Sequence, residues 1–391
     1  MRSVIFVPSA AAWDARSGPG GLSLLERQWR QLRALGLDPP VLLLATAESP
    51  PLAPERVPAA VVRVPGAADV LAALSAARAA LPAEFVFLTA DRLVDLRVLR
   101  ALAAGAGPRL ACGADGRPEG VGRARTADLE SGGARAAPAD RLTLDALDPY
   151  VPELRGRAAP YLFAVRTAAE RARAWRVLLD HAQKRTLDLP GQYFDSPFEN
   201  ALVRALAPTP VTPNQITVAT LVLALAVGLL FLGGWLRAGV LLALVVGILD
   251  GVDGKLARIK LATSRLGELE HVGDFLYENF WYLALGVHLR AATGAAAYWW
   301  TAVLLVACDL ADSLLYALVR RRTGRMLDEI APFDRAFRRV AGRRNVYVWI
   351  FVAGFFTGHA AGALVAAALW AACTVAVHAV RALAAPAAAG R

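Results

Sequence analysis

Beyond about residue 211 the chain becomes a succession of long apolar stretches, and this limits what it can fold into. Six of them are long enough to cross a bilayer, at roughly 215–235, 238–253, 269–289, 296–319, 345–359 and 361–383. The 391 residues are 56% hydrophobic and 19% charged, with a mean hydropathy of +0.42, too apolar for an ordinary soluble protein. The excess is uneven, because residues 1–170 alternate strand-like and helix-like segments. The expected fold class is therefore multi-domain: an N-terminal α/β domain (1–170) and a C-terminal all-α six-helix transmembrane bundle (211–391). A connector (171–210) joins them, with an amphipathic interfacial helix over about 196–206.

In the front part the strand candidates are Ser3–Val7, Val41–Ala45, Ala60–Val64, Glu84–Leu88 and Tyr161–Val165. Helical patterns cover Leu22–Leu35, Ala67–Ala80 and Leu96–Ala104. Strands alternating with helices predict a parallel sheet covered on both faces. The Gly, Ala and Pro clusters near 113–139 read as a variable loop region. The opening MRSVIFVPSAAAWDARSG has no signal-peptide apolar core and reads as a first strand with its loop, so the front domain is expected in the cytoplasm.

Net charge is +10 and the pI near 10.0. Basic residues gather at Lys255, Arg258, Lys260 and Arg265 and again from Arg320 to Arg344, whereas the opposite loops carry little beyond Arg237 and Arg290. The positive-inside rule then makes a multi-pass cell-membrane protein with both termini and the charged loops cytoplasmic. No basic stripe with interleaved aromatics appears, so no nucleic-acid partner is expected. Cys112, Cys308 and Cys373 are far apart, which predicts neither a disulfide framework nor a zinc site.

Between the second and third apolar stretches lies LDGVDGKLARIKLATSRLGELEHVGD, residues 249–274. Asp250 and Asp253 are three apart, and Glu270 and Asp274 four apart, so on helices each pair shares a face. Unpaired carboxylates at a membrane interface cost several kcal/mol each. Hard oxygen donors of this kind suit Mg²⁺ or Mn²⁺, and two such ions about 4 Å apart stabilise in-line displacement at phosphorus. Small residues at Gly254 and Ala257 let a ligand approach the helix backbone, and Arg258 is placed to take a phosphate bidentately.

The order Asp250-x2-Asp253-Gly254-x2-Ala257-Arg258-x8-Gly267 resembles the signature of the CDP-alcohol phosphotransferase family. TPNQIT at 212–217 is similar to the segment opening that family's first span. The family continues with aspartates where this chain has His271 and Phe275; Glu270 and Asp274 keep the spacing one position early. A His271 ligand is the alternative register. The resemblance implies transfer of a substituted phosphate from a CDP-linked donor to an alcohol acceptor, with release of CMP. It implies a two-metal Mg²⁺ or Mn²⁺ site on Asp250, Asp253, Glu270 and Asp274, with Asp274 also the general base. CDP contacts are implied for Gly254, Ala257, Arg258 and Asn214.

Glu278 continues the 270–274 face and is a candidate wall for the acceptor, as are Asp309 and Asp312 inside the fourth stretch. Arg343 and Arg344 are candidates for an acceptor phosphate; His359 and His378 read as structural. The front domain resembles sugar-phosphate nucleotidyltransferases through GGLSLLERQWRQLRALGL (20–37) and FVFLTADRLVDLRVLRAL (85–102), which implies Asp91 as a metal ligand. Where that family has a glycine-rich loop followed by a lysine, this chain has SAAAWDARSGPG. Such fusions resemble the bifunctional enzymes that make CDP-inositol and join it to inositol phosphate, which implies CDP-diacylglycerol or a CDP-polyol as donor. The partners implied are donor, acceptor and the lipid bilayer, with a homodimer left open. The competing readings are a catalytically impaired membrane scaffold or regulator with a nucleotide-binding domain, and a transporter.

Overall fold

The computed structural model describes residues 2–8, 18–37, 39–45, 57–64, 66–129, 140–262 and 266–385, with side chains from 273 onward in the last segment. Among the described residues eleven strands occupy the front: β1 Arg2–Val7, β2 Val41–Leu44, β3 Ala60–Arg63, β4 Glu84–Thr89, β5 Arg92–Val94, β6 Arg109–Cys112, β7 Pro118–Arg125, β8 Asp140–Leu142, β9 Tyr150–Val151, β10 Gly156–Arg157 and β11 Leu162–Ala164. Seven form one sheet in the order β3-β2-β1-β4-β7-β6-β8.

The period-2 alternation of β1 sends Ile5 and Val7 to one face and Val4 and Phe6 to the other. Helices α1 (Leu24–Ala34) and α3 (Leu96–Ala104) cover the first face through Leu25, Leu32, Val98, Leu99 and Leu102. Helix α2 (Val70–Ala76) covers the second through Val70, Ala73 and Leu74. Each fully buried side chain of this size contributes roughly 1.5–3 kcal/mol. Helix α3 occupies the expected span because its ends are local: Asp95 Oδ1 accepts from Arg97 N, and Gly105 follows the last turn.

Three expectations need correction. The sheet is mixed, since β7 runs antiparallel to both β4 and β6. That strand lies in the stretch read as a loop; its glycines masked the alternation, and its pairing is set by distant partners. The strand near 161–165 leaves the sheet and pairs antiparallel with β5.

The chain continues through α4 (Ala168–Asp180), a π-turn at Gly191–Asp195 and α5 (Ser196–Leu206). The connector helix has the expected bounds; its Val203 packs with Val252 and Leu256. Then follow α6 (Pro213–Leu232), α7 (Leu236–Lys260), α8 (Leu266–Thr293), α9 (Ala297–Thr323), α10 (Pro332–Phe337), α11 (Arg344–Phe356) and α12 (Ala360–Ala384). Helix α6 starts at a capping box: Thr212 accepts from Gln215 N, and Gln215 accepts from Thr212 N. By length and composition α6, α9 and α12 are long and apolar enough to cross a membrane, and α11 is a shorter apolar helix. The bundle core is aromatic, with Trp281, Tyr282, Phe351 and Phe355 buried together.

The sheet region grips the end of α7. Arg27 Nη2 donates to Ile259 O at 2.8 Å, and Arg30 Nη1 to Lys260 O at 2.6 Å. These guanidiniums meet the orphan carbonyls of the helix terminus, where positive charge is favoured. Gly20, at φ +77°, permits the contact: a Cβ there would lie 2.4 Å from Arg27 Nη2 and 2.8 Å from Ile259 Cγ2.

Candidate active site

A cavity of about 1040 Å³ opens between α7, α8, α9 and the loop before α11. Asp250 on α7, Asp274 and Glu278 on α8, Asp309 and Asp312 on α9, and Arg343 and Arg344 at the start of α11 all line it. Asp274 stands close enough to Asp250 and Asp253 for both charges to act on it. Sequence spacing had paired the acids within each helix; α6 packs against both α7 and α8 and so brings Asp274 near Asp250 and Asp253.

Arg344 sits in the midst of these acids. Its Nη2 donates to Asp250 Oδ2 at 2.5 Å, its Nη1 lies 3.2 Å from Glu278 Oε1, and it also bonds the Tyr277 hydroxyl. Asp253 is buried behind the lining, where the Thr217 hydroxyl donates to Oδ2 at 2.7 Å. Asp250, Glu278 and Asp274 therefore all act on one guanidinium, leaving negative charge that low-dielectric surroundings do not tolerate uncompensated. Oxygen donors of this kind suit a divalent cation, although among the described residues no three acids stand close enough together to hold one. Glu270 and His271 lie outside the described side chains, so the register between them is not decided by contacts.

Gly254 and Arg258 line the cavity. A Cβ on Gly254 would stand 3.3 Å from Arg258 Nη1, so the glycine makes room for that guanidinium. Arg258 Nε donates to Ala182 O at 2.8 Å, which aims the side chain. Ala257 is half-buried and not in the lining, and Asn214 is exposed on the first turn of α6, away from it.

Two basic residues counted above as topology signals also have packing partners. Lys255 is 1% exposed; its Nζ reaches Glu199 Oε2 at 2.7 Å and Asn200 Oδ1 at 2.8 Å. Lys260 Nζ donates to Thr209 O and Val211 O, at 2.7 Å each. Glu199 approaches α7 at Gly251, where a Cβ would meet its Oε1 at 2.1 Å.

Several cavity groups escaped the sequence reading. Asp195 and Glu199 line it from the connector, and Asn345 Nδ2 donates to Asp195 Oδ2 at 3.0 Å. Burial, reinforced by Glu199 and Asp188, pushes the Asp195 carboxyl up to about 7. His378 is structural, as expected, but it has a specific partner: Nδ1 lies 2.5 Å from Asp312 Oδ1. The α5 pattern, an acid on an otherwise apolar face, was the available signal for Glu199. Nothing local marked Asp195.

In the front region Asp91 does not stand open to a cation. Arg92 Nη1 holds Oδ1 at 2.8 Å and Arg166 Nε holds Oδ2 at 2.5 Å, while Arg92 also pairs with Glu119 at 2.9 Å. A metal there would have to displace two guanidiniums. Of SAAAWDARSGPG, residues 9–20, which stands where phosphates would be cradled, residues 9–17 lie outside the described residues.

Residues 210–378, which include the helices that build this cavity, match the model of the CDP-alcohol phosphatidyltransferase family. Among curated proteins, the chain is similar to a bifunctional IPC transferase and DIPP synthase of Thermococcus kodakarensis, at 34% identity over 192 residues, 48% of this chain and 42% of the relative. A protein of the same name from Rubrobacter xylanophilus is 30% identical over 166 residues, 41% of this chain and 35% of the relative. The chain thus spans less than half the length of these relatives. Among solved structures, the Mycobacterium tuberculosis phosphatidylinositol phosphate synthase with CDP-DAG bound superposes on 51% of this chain and 98% of its own. Its identity is 17% and its TM-score 0.40, too slight a likeness to carry weight.

Proposed function

We propose that this chain is an integral membrane phosphotransferase that moves a substituted phosphate from a CDP-linked donor to an alcohol and releases CMP. The observation that supports this best is the meeting of Asp250 and Asp274, from two helices, at one cavity also lined by Gly254 and Arg258, with Asp253 buried just behind and close enough to act on Asp274. The family match covers the same helices. The six helices α6–α9, α11 and α12 are read as spans, with the cavity and the sheet region on the cytoplasmic side. The sheet region (1–170) is read as a degenerate nucleotidyltransferase-like domain, the stretch 171–210 as a connector, and 211–391 as the transferase domain.

Asp250, Asp253 and Asp274 would hold Mg²⁺ or Mn²⁺, with Glu270 as a further ligand. The bound metals supply charge neutralisation for in-line displacement at phosphorus. Arg258 and the open backbone at Gly254 hold the diphosphate, since a guanidinium matches phosphate oxygens in pairs. Asp274, facing the cavity, takes the acceptor's proton. For Asp250 to serve as a ligand Arg344 would have to give up that bond, and its contacts with Glu278 and Tyr277 would then hold it.

The donor is CDP-diacylglycerol or a CDP-polyol. The relatives' names, IPC transferase and DIPP synthase, favour the second. The test is CMP release by the full-length protein in detergent with Mg²⁺ or Mn²⁺, over a panel of both donor classes and several alcohols. Asp250→Asn and Asp253→Asn should each abolish turnover while the protein stays folded. Near-normal CMP release from both variants would exclude the two-metal site, and no release from wild type with any donor would favour a scaffold.

A further inference from the structure

The last turn of α7 carries Arg258, and the sheet region holds that turn through α1. Arg27 on α1 is 2% exposed, and burial pulls its guanidinium down to about 10, still charged at neutral pH. Buried charges are ordinarily paired with an opposite charge. Arg27 instead meets two backbone carbonyls: its Nη2 donates to Pro19 O at 3.2 Å and to Ile259 O at 2.8 Å. The adjacent Glu26 is engaged by Arg30, 2.7 Å away, and Arg30 in turn donates to Lys260 O. What offsets the burial of Arg27 is the negative end of α7, a partial charge that persists only while the last turn stays wound.

The turn depends on this contact in return. The final carbonyls of a helix have no donors within it, and helix ends fray. Leu261, the next residue, is left-handed at φ +49°, a conformation that costs a non-glycine residue energy its surroundings must offset. Its N–H closes on Arg258 O at 3.3 Å, and that of Ala262 on Ala257 O at 3.0 Å. Between these closures and the rest of the helix sits Ile259, buried among Leu179, Ala182, Val203 and Ala207. Arg258 immediately precedes it, with Nε on Ala182 O at 2.8 Å and its side chain in the cavity lining. The contact with Ala182 aims the side chain, while the contacts of Arg27 and Arg30 fix the backbone from which it projects.

We infer that Arg27 is a positioning residue for the membrane cavity: with Arg30 it clamps the last turn of α7 from the sheet region and so fixes where the Arg258 guanidinium stands. The sheet region thereby has a part in the membrane site that needs no catalysis of its own. That the clamp serves the hold on a CDP diphosphate rests on the phosphotransferase reading; the clamp itself does not.

Two readouts on full-length protein in detergent test this: amide hydrogen exchange across the end of α7, and the affinity for CDP with Mg²⁺ present. Arg27→Gln should speed exchange at Leu261 and Ala262 at least about tenfold, since local opening of one turn exposes those amides. It should weaken CDP binding by about tenfold, the scale of one charge-assisted contact misplaced. Arg30 has a side chain 30% exposed, so folding should survive Arg30→Gln, which should shift both readouts the same way by about threefold. Adding Arg27→Gln to Arg258→Gln should cost less than about twofold in CDP affinity, because a residue acting through another has nothing further to remove. Arg97→Gln breaks a pair inside the sheet region, Arg97 to Asp95 at 2.7 Å, and should leave both readouts at wild-type values. Unchanged exchange at Leu261 and Ala262 in both Arg27→Gln and Arg30→Gln, or equal acceleration in Arg97→Gln, would overturn the clamp. Full CDP affinity in Arg27→Gln, or an additive loss in the double variant, would overturn its action through Arg258. Should wild type bind no CDP, the phosphotransferase reading fails, and the clamp stands or falls by the exchange alone.

Discussion

Replacing Glu199 by Gln should destabilise the protein more than almost any other single change near the cavity. The substitution keeps the shape of the side chain but leaves the Lys255 ammonium, 1% exposed, with only the Asn200 carbonyl 2.8 Å away in place of a charge at 2.7 Å. Removing one partner of a buried pair costs about 3–5 kcal/mol, because the remaining charge is stranded. At roughly 2 °C per kcal/mol for a chain of this size, the apparent Tm in detergent should fall by about 5–10 °C. Lys255 lies between Asp253 and Arg258 on α7, so the loss also loosens the helix that carries the motif. Adding Lys255→Met to Glu199→Gln should restore most of the loss, since a neutral pair strands nothing. The assay is thermal unfolding at fixed detergent and scan rate, with CMP release at 25 °C alongside. A Tm within 1–2 °C of wild type for the single variant, or no recovery in the double, would refute the stranded-charge reasoning.

Asp195 yields a pH signature. Its folded carboxyl ionises near 7 whereas an unfolded one ionises near 4, so across that window the folded protein keeps a proton the unfolded chain has lost, and stability falls as pH rises. With chelator present, Asp195→Asn should gain Tm relative to wild type from pH 5 to 7 and level off above; a difference independent of pH would show that Asp195 ionises normally. For the metal ligands, the register with Glu270 predicts that His271→Ala retains most CMP release while Glu270→Ala loses at least about tenfold, roughly 1.4 kcal/mol. The reverse result would shift the ligand set by one residue.

What could be read in the chain depended on how far apart the cooperating residues lie. Helix α5 and the start of α6 were legible because a helix declares its ends within a few residues, through Pro197 in the first turn or the Thr212 and Gln215 box. The motif acids were legible because a three- or four-residue spacing on a helix already decides which face they share. Strand β7 was not, since its place between β4 and β6 rests on partners that only the folded sheet supplies.

By itself the sequence determined the alternation of strands and helices in front, the apolar helices behind, and the charged motif between them. Periodicity and composition act locally, so they survive without knowledge of the fold. The tertiary structure alone decided what the charges do. Lys255 and Glu199 are 56 residues apart, Arg344 and Asp250 94, and Arg155 and Asp328 173, and no pattern along the chain pairs them. Each of these groups sits in low dielectric, where an ion without a counter-charge is costly, so packing had to choose their partners.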